Sequence, residues 1–216
     1  MPQVIPAVIA TATAVGASAV GTATLVIPGV LSIAWSAPPD VGVAEAEMLA
    51  KTRDAISDHS LKSLARKASR SARRGEAPVC LAIGQCLEPI VEDRDCLATD
   101  GQALEPGGLA ILRSPDQPAH LAKVYLACTL DAEGRAKSFA FLSLNPLVIL
   151  EYQSHELSEL LRVSGVFRRG RWRDPQQSEI VEDAVQTARA ALAPMFRAVP
   201  VHPFGERAFR QGGGDG

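Results

Sequence analysis

The run HLAKVYLACTL (His120 to Leu130), followed by DAEG (Asp131 to Gly134) and KSFAFLSL (Lys137 to Leu144), decides how the middle of the chain is read. Both apolar runs have strand length and Asp-Ala-Glu-Gly supplies turn chemistry, so the two pair as an antiparallel hairpin. Outward from it, LAILR (Leu109 to Arg113) reads as another strand behind the turn-rich ATDGQALEPGG (Ala98 to Gly108). Earlier still, PVCLAIGQCL (Pro78 to Leu87) alternates, with Cys80, Ala82, Gly84 and Cys86 on one face and Leu81, Ile83 and Leu87 on the other. These elements predict a small antiparallel sheet of roughly three to five strands with helices on one side.

The helices are read from composition and caps. From Ala44 to Ala72 the chain lacks Gly and Pro and reads as one long helix, or two broken near Ser57-Asp58-His59-Ser60. SHELSELLRVSG (Ser154 to Gly165) reads as a capped helix closed by Gly165. Asp174-Pro175-Gln176-Gln177 opens an amphipathic helix whose apolar face carries Ile180, Val181, Ala184, Val185, Ala188, Ala191, Leu192, Met195 and Phe196. The expected class is therefore α+β: an N-terminal apolar helical segment, a long basic helix, a small antiparallel sheet and C-terminal amphipathic helices.

Val4 to Ala37 carries no ionisable side chain. Between Pro6 and Pro28 a helix would reach roughly 31 Å at 1.5 Å per residue, close to the hydrocarbon thickness of a bilayer. Ala12, Gly16, Ala19 and Ala23 fall on one ridge at helical spacing, where small side chains admit a neighbouring helix, and Trp35 stands at the expected water boundary. Lipid or other subunits should therefore cover this segment. A secretory leader fits poorly, because the first residues carry no Lys or Arg and the apolar run is too long.

The chain divides as 1–39, the apolar segment; 40–77, a linker and basic helix; 78–150, a β-rich region; 151–209, a helical region; and 210–216, a flexible tail. With 216 residues and a net charge of -2, nothing global drives the chain toward nucleic acid, but two local clusters do. Lys62, Arg66, Arg70 and Arg74 recur every fourth position, and FRRGRWR brings Arg169, Arg171 and Trp172 together. Either could contact phosphates of lipid headgroups or of a DNA backbone, without reading bases.

Four cysteines, Cys80, Cys86, Cys96 and Cys128, are too few and too scattered for a disulfide scaffold, and read as small buried residues. No GxSxG, P-loop, glycine-rich dinucleotide loop or His/Cys ligand cluster occurs, so the chain is read as a non-enzyme with no cofactor and no metal. The acidic Glu88 to Asp95 reads as a solvated loop.

MPQVIPAVIATATAVGASAVGTATLVIPGVLSIAW resembles the openings of tail-tip, hub-type and internal ejection proteins of tailed bacteriophages. The order of a basic segment (Arg70 to Arg74), Pro78, a strand with a central Gly84 and then HLAKVYLACTL is loosely similar to the first domain of hub proteins. It departs from them in having Ala82-Ile83-Gly84-Gln85 where they have a Tyr-Gly-Arg-type opening. The resemblance implies a structural virion component of a tail or DNA-ejection apparatus, its N-terminal segment shielded in the particle and able to enter the host envelope. Its partners would be other subunits of a homo- or hetero-oligomer, with a membrane or a DNA backbone as further contacts. The alternative is a bacterial inner-membrane protein with one N-terminal anchor and a soluble interaction domain. A third reading is an enzyme with a dispersed site, which a fold gathering Glu, His or Cys side chains would raise.

Overall fold

In LAILR successive side chains enter two different apolar cores: Leu109 and Ile111 join one, Ala110 and Leu112 the other. The same division runs through Leu81 and Ala82, Cys96 and Leu97, Leu121 and Ala122, and Leu160 and Leu161. A sheet with water on neither face gives strands that are nearly continuous apolar runs, which explains the composition of this chain better than an alternating pattern does.

The computed structural model describes residues 32–35, 59–71, 77–83, 87–115, 120–144, 147–175, 179–192 and 195–205. The strands are β1 (Ser32–Trp35), β2 (Ala77–Ile83), β3 (Cys96–Asp100), β4 (Leu109–Arg113), β5 (His120–Leu130), β6 (Ala136–Leu144), β7 (Leu147–Gln153), β8 (Glu159–Arg168) and β9 (Arg171–Arg173). The helices are α1 (His59–Ser71) and α2 (Glu179–Leu192), with a single 3-10 turn at Ser154–Glu156. Among the described residues the nine strands form one sheet in the order β1-β2-β3-β8-β4-β5-β6-β7, with β9 hairpinned onto β8. All pairings are antiparallel except those of β1, which lies parallel to β2 and, through Ala34 and Trp35, parallel to the start of β5. That last pairing curls the sheet back on itself.

One face of the sheet is covered by α1, through Leu61, Leu64 and Ala68, and by the segment after α2. This segment is stitched down at three places: Arg197 pairs with Cys128, Val201 with Leu104, and Phe204 with Leu160. Tyr125 Oη adds a hydrogen bond to the Val199 carbonyl at 2.9 Å, and the Phe204 ring meets Phe139 at 6.0 Å. The other face is covered by α2, through Val185 and Ala188, and by the turn carrying Leu87 and Val91. In the β5–β6 turn Asp131 accepts from the N–H groups of Glu133 and Arg135, and Gly134 takes a positive φ of 76°.

The architecture overturns the α+β expectation. In place of a small sheet flanked by long helices, the described residues build a curled, mostly antiparallel sheet with two short helices. Of the long basic helix over 44–72, thirteen residues, His59–Ser71, are described as helix. Of the apolar segment only Ser32–Trp35 is described, and it is a strand, not helix. Ser154 to Gly165 is not a helix either: the capping box of Gln153 and Glu156 serves the single 3-10 turn, and Glu159 onward is β8. The apolar density of ELLRVSGVFR misleads because a strand buried on both faces loses its alternation. Gly165, expected as a helix stop, sits within β8 beneath Trp172, where an added Cβ would lie 3.1 Å from the indole. On α2, Val185 and Ala188 are buried as expected, whereas Met195 falls beyond the helix and is 75% exposed.

The acidic loop is likewise not simply solvated. Asp95 is buried and paired with Arg168, whose Nη2 donates to Oδ2 at 2.6 Å and whose Nε donates at 2.9 Å; Nη1 reaches Glu92 at 2.8 Å. Arg168 Nη2 also donates to the Ile90 carbonyl at 2.9 Å, so one guanidinium organises the whole turn. Burial pushes the Asp95 carboxyl above its ordinary value, against the lowering pull of Arg168. The pair is thus costly to bury and costlier to break. Asp95→Ala should lower stability by about 3–5 kcal/mol in urea unfolding, and Asp95→Leu with Arg168→Met should recover most of that loss; a single variant within 1 kcal/mol of the parent, on the order of a surface pair, would show that the ion pair does not anchor the turn.

Candidate functional site

Strand β5 holds the one fully buried lysine among the described residues. Lys123 has no exposed surface, with Ala122 and Val124 as buried chain neighbours. Across the sheet it stands opposite Ala110 on β4, which stands opposite Arg162 on β8, which stands opposite Asp100 on β3. Adjacent strands are about 4.8 Å apart, so the Lys123 and Arg162 backbones are roughly 10 Å apart with only an alanine between. Arg162 is held on the β3 side: its Nη1 donates to Asp100 Oδ2 at 3.0 Å and to Gln102 Oε1 at 2.7 Å. Sequence reading passed over Lys123, although a lysine inside LAKVY was a usable signal, since an amine in the middle of an apolar strand is expensive to bury.

His120, three residues earlier, faces Glu159 at the start of β8. Its Nε2 lies 2.7 Å from Glu159 Oε2, and both side chains are almost completely buried. Gly205 packs against this carboxylate so closely that a Cβ there would meet Glu159 Cγ at 2.8 Å. No local pattern announces a pair so far apart in sequence.

Of the cysteines, Cys96 and Cys128 form no disulfide and have no exposed surface. Burial pushes the Cys128 thiol up, the neighbouring Tyr125 hydroxyl opposing it. Cys80 is bracketed on both edges of β2, opposite Ser32 on β1 and Leu97 on β3. Cys86 lies outside the described residues; it directly precedes Leu87, which is buried in the same cluster as Ala122 and Val124.

The two basic segments read from the sequence meet in space. Trp172 Nε1 donates to the Ser71 carbonyl at 3.0 Å, and an added Cβ on Gly170 would lie 3.1 Å from Lys67 Nζ, so the β8–β9 hairpin lies along α1. Arg66, Lys67 and Arg70 on the helix and Arg169, Arg171 and Arg173 on the hairpin are all exposed. Trp172 itself is half-buried, its ring 5.1 Å from that of Phe167. Lys62 lies on α1, though its side chain is outside the described residues, as are Arg74 and the small-residue ridge of Ala12, Gly16, Ala19 and Ala23. Trp35 ends β1, its backbone opposite Ile83 and Leu121. Among the described residues no cluster of His, Cys, Asp or Glu could hold a metal ion, and no helix is long and apolar enough to cross a membrane.

Trp172→Phe keeps the ring on Phe167 but removes the indole N–H bonded to Ser71. It should cost on the order of 1 kcal/mol and speed amide exchange in the last turn of α1; unaltered exchange there would show that the indole does not hold the helix to the hairpin. No protein-family model, curated protein or solved structure matches the chain.

Proposed function

We propose that this chain is a structural subunit of an oligomeric assembly, of the tail or DNA-ejection type that its opening resembles, with the uncharged stretch from Val4 to Ala37 enclosed by neighbouring subunits or lipid. The observation that carries this reading is the absence of any ionisable side chain from Val4 to Ala37. Water solvates such a stretch poorly, so burial against protein or lipid lowers its free energy.

Sedimentation and liposome dye release by the full chain and by a chain lacking residues 4–31, which keeps Ser32–Trp35 for β1, test the proposal. The full chain should sediment as an oligomer and release dye, and the shortened chain should sediment as a monomer and release none. Identical sedimentation and dye release by the two chains would refute the proposal.

A further inference from the structure

We infer that the outer edge of β7 takes up residues 7–15 of a neighbouring copy as an added strand. The inference rests on the assembly reading above and names the surface that would cover part of the uncharged stretch. Because β1 joins β2 to β5, the strands β1, β2, β3, β8, β4 and β5 close on one another, and β6 and β7 extend beyond that closure. Among the described residues β7 pairs with β6 along one edge and with no strand along the other.

This edge lacks the features that keep sheet edges apart. LVILEYQ holds no Pro and no Lys, and its seven rungs to β6 run without a bulge. Leu147 is exposed and Val148 half-buried, while Ile149 and Leu150 are buried, so the strand is apolar up to the margin of the sheet. At its last residue the Gln153 N–H goes to Glu156 Oε2 at 2.7 Å, which leaves residues 147–152 as the edge on offer. An open edge of this length templates another strand, backbone to backbone.

Charge selects the occupant. A second β7, paired antiparallel over all seven residues, would centre on Leu150 and set the two Glu151 carboxylates on one diagonal of the same face, an unfavourable pairing. Residues 7–15, AVIATATAV, bring no charge and hold neither Gly nor Pro. Extended, they would place Ile9, Thr11, Thr13 and Val15 on one side and Val8, Ala10, Ala12 and Ala14 on the other. They lie outside the described residues, but the described end of the same stretch, Ser32–Trp35, is itself a strand laid against two others. β1 runs parallel to β5 and meets it at His120 and Leu121, whereas β6 pairs with β5 from Val124 onward. The chain before Ser32 therefore leaves past the His120 end, away from β6 and β7. Residues 16–31 then span up to about 55 Å when extended, enough to reach another copy. Each copy gives one strand and receives one, an arrangement that closes into a ring or continues as a fibre.

Complementation between two defective chains tests the inference. Leu147→Lys with Val148→Lys blocks the edge but keeps the donor, and a chain lacking residues 4–31 keeps the edge without the donor. Each should sediment as a monomer alone, and an equimolar mixture should form a one-to-one complex. Leu130→Lys with Met195→Lys, exposed apolar sites elsewhere, should assemble as the parent does. Amide exchange needs no substitution in β7: residues 147–152 should exchange at least about tenfold more slowly in the full chain than in the shortened one. Two monomers that do not combine, equal exchange in the two chains, or full assembly by the edge variant would overturn the inference. Full assembly by the edge variant beside a monomeric shortened chain removes this inference alone, whereas a shortened chain that still assembles removes the assembly reading as well.

Discussion

Strand β5 has no free side. Its two faces enter the two cores, one edge carries β4, and the other carries β1 and then β6. Desolvation of everything on that strand is the constraint from which the rest follows, because each polar group there must be matched by the surrounding chain. Tyr125 is matched by the Val199 carbonyl, and His120 by Glu159. The strap from Arg197 to Phe204 is accordingly part of the core: it supplies the acceptor that a buried phenol needs and closes the face on which that phenol lies.

The same constraint decides what could be read beforehand. The β5–β6 hairpin was legible because Asp131 and Gly134 punctuate it and the runs on either side are too apolar for a loop. β8 was not, because burial on both faces erased its alternation and a capping box at Gln153 to Glu156 imitated a helix start. β1 was swallowed by its apolar context, where a four-residue strand has no period to show. The basic runs were visible as charges, yet their contiguity depends on Trp172 reaching Ser71, which no local pattern encodes. Within FRRGRWR the sequence also gave no way to separate Arg168, turned inward to Asp95, from its exposed neighbour Arg169.

The charged groups sort by cost. Asp131 and Arg135 pair at a wet turn, where the contact is worth little. Asp95 with Arg168 and His120 with Glu159 are removed from water and tie distant segments together, which makes them determinants of register more than sources of net stability. Lys123 belongs with these by burial, and its place in a row with Arg162 and Asp100 keeps a polar stripe running through an otherwise apolar sheet.

The curl of the sheet is completed by β1, a short strand lying between β2 and β5 and joined to both in parallel. Its partners are far away in sequence, Ser32 standing opposite Cys80 and Ala34 opposite His120, so zipping it in closes long loops, each doubling of loop length costing only about 0.6 kcal/mol more but delaying the event relative to local hairpins. A late, thin closure of this kind is also the place where two copies could trade equivalent strands, each lending its Ser32–Trp35 ribbon to the other's slot without disturbing any other hydrogen-bonded pair. The same four residues that complete a monomer would close such an exchanged pair.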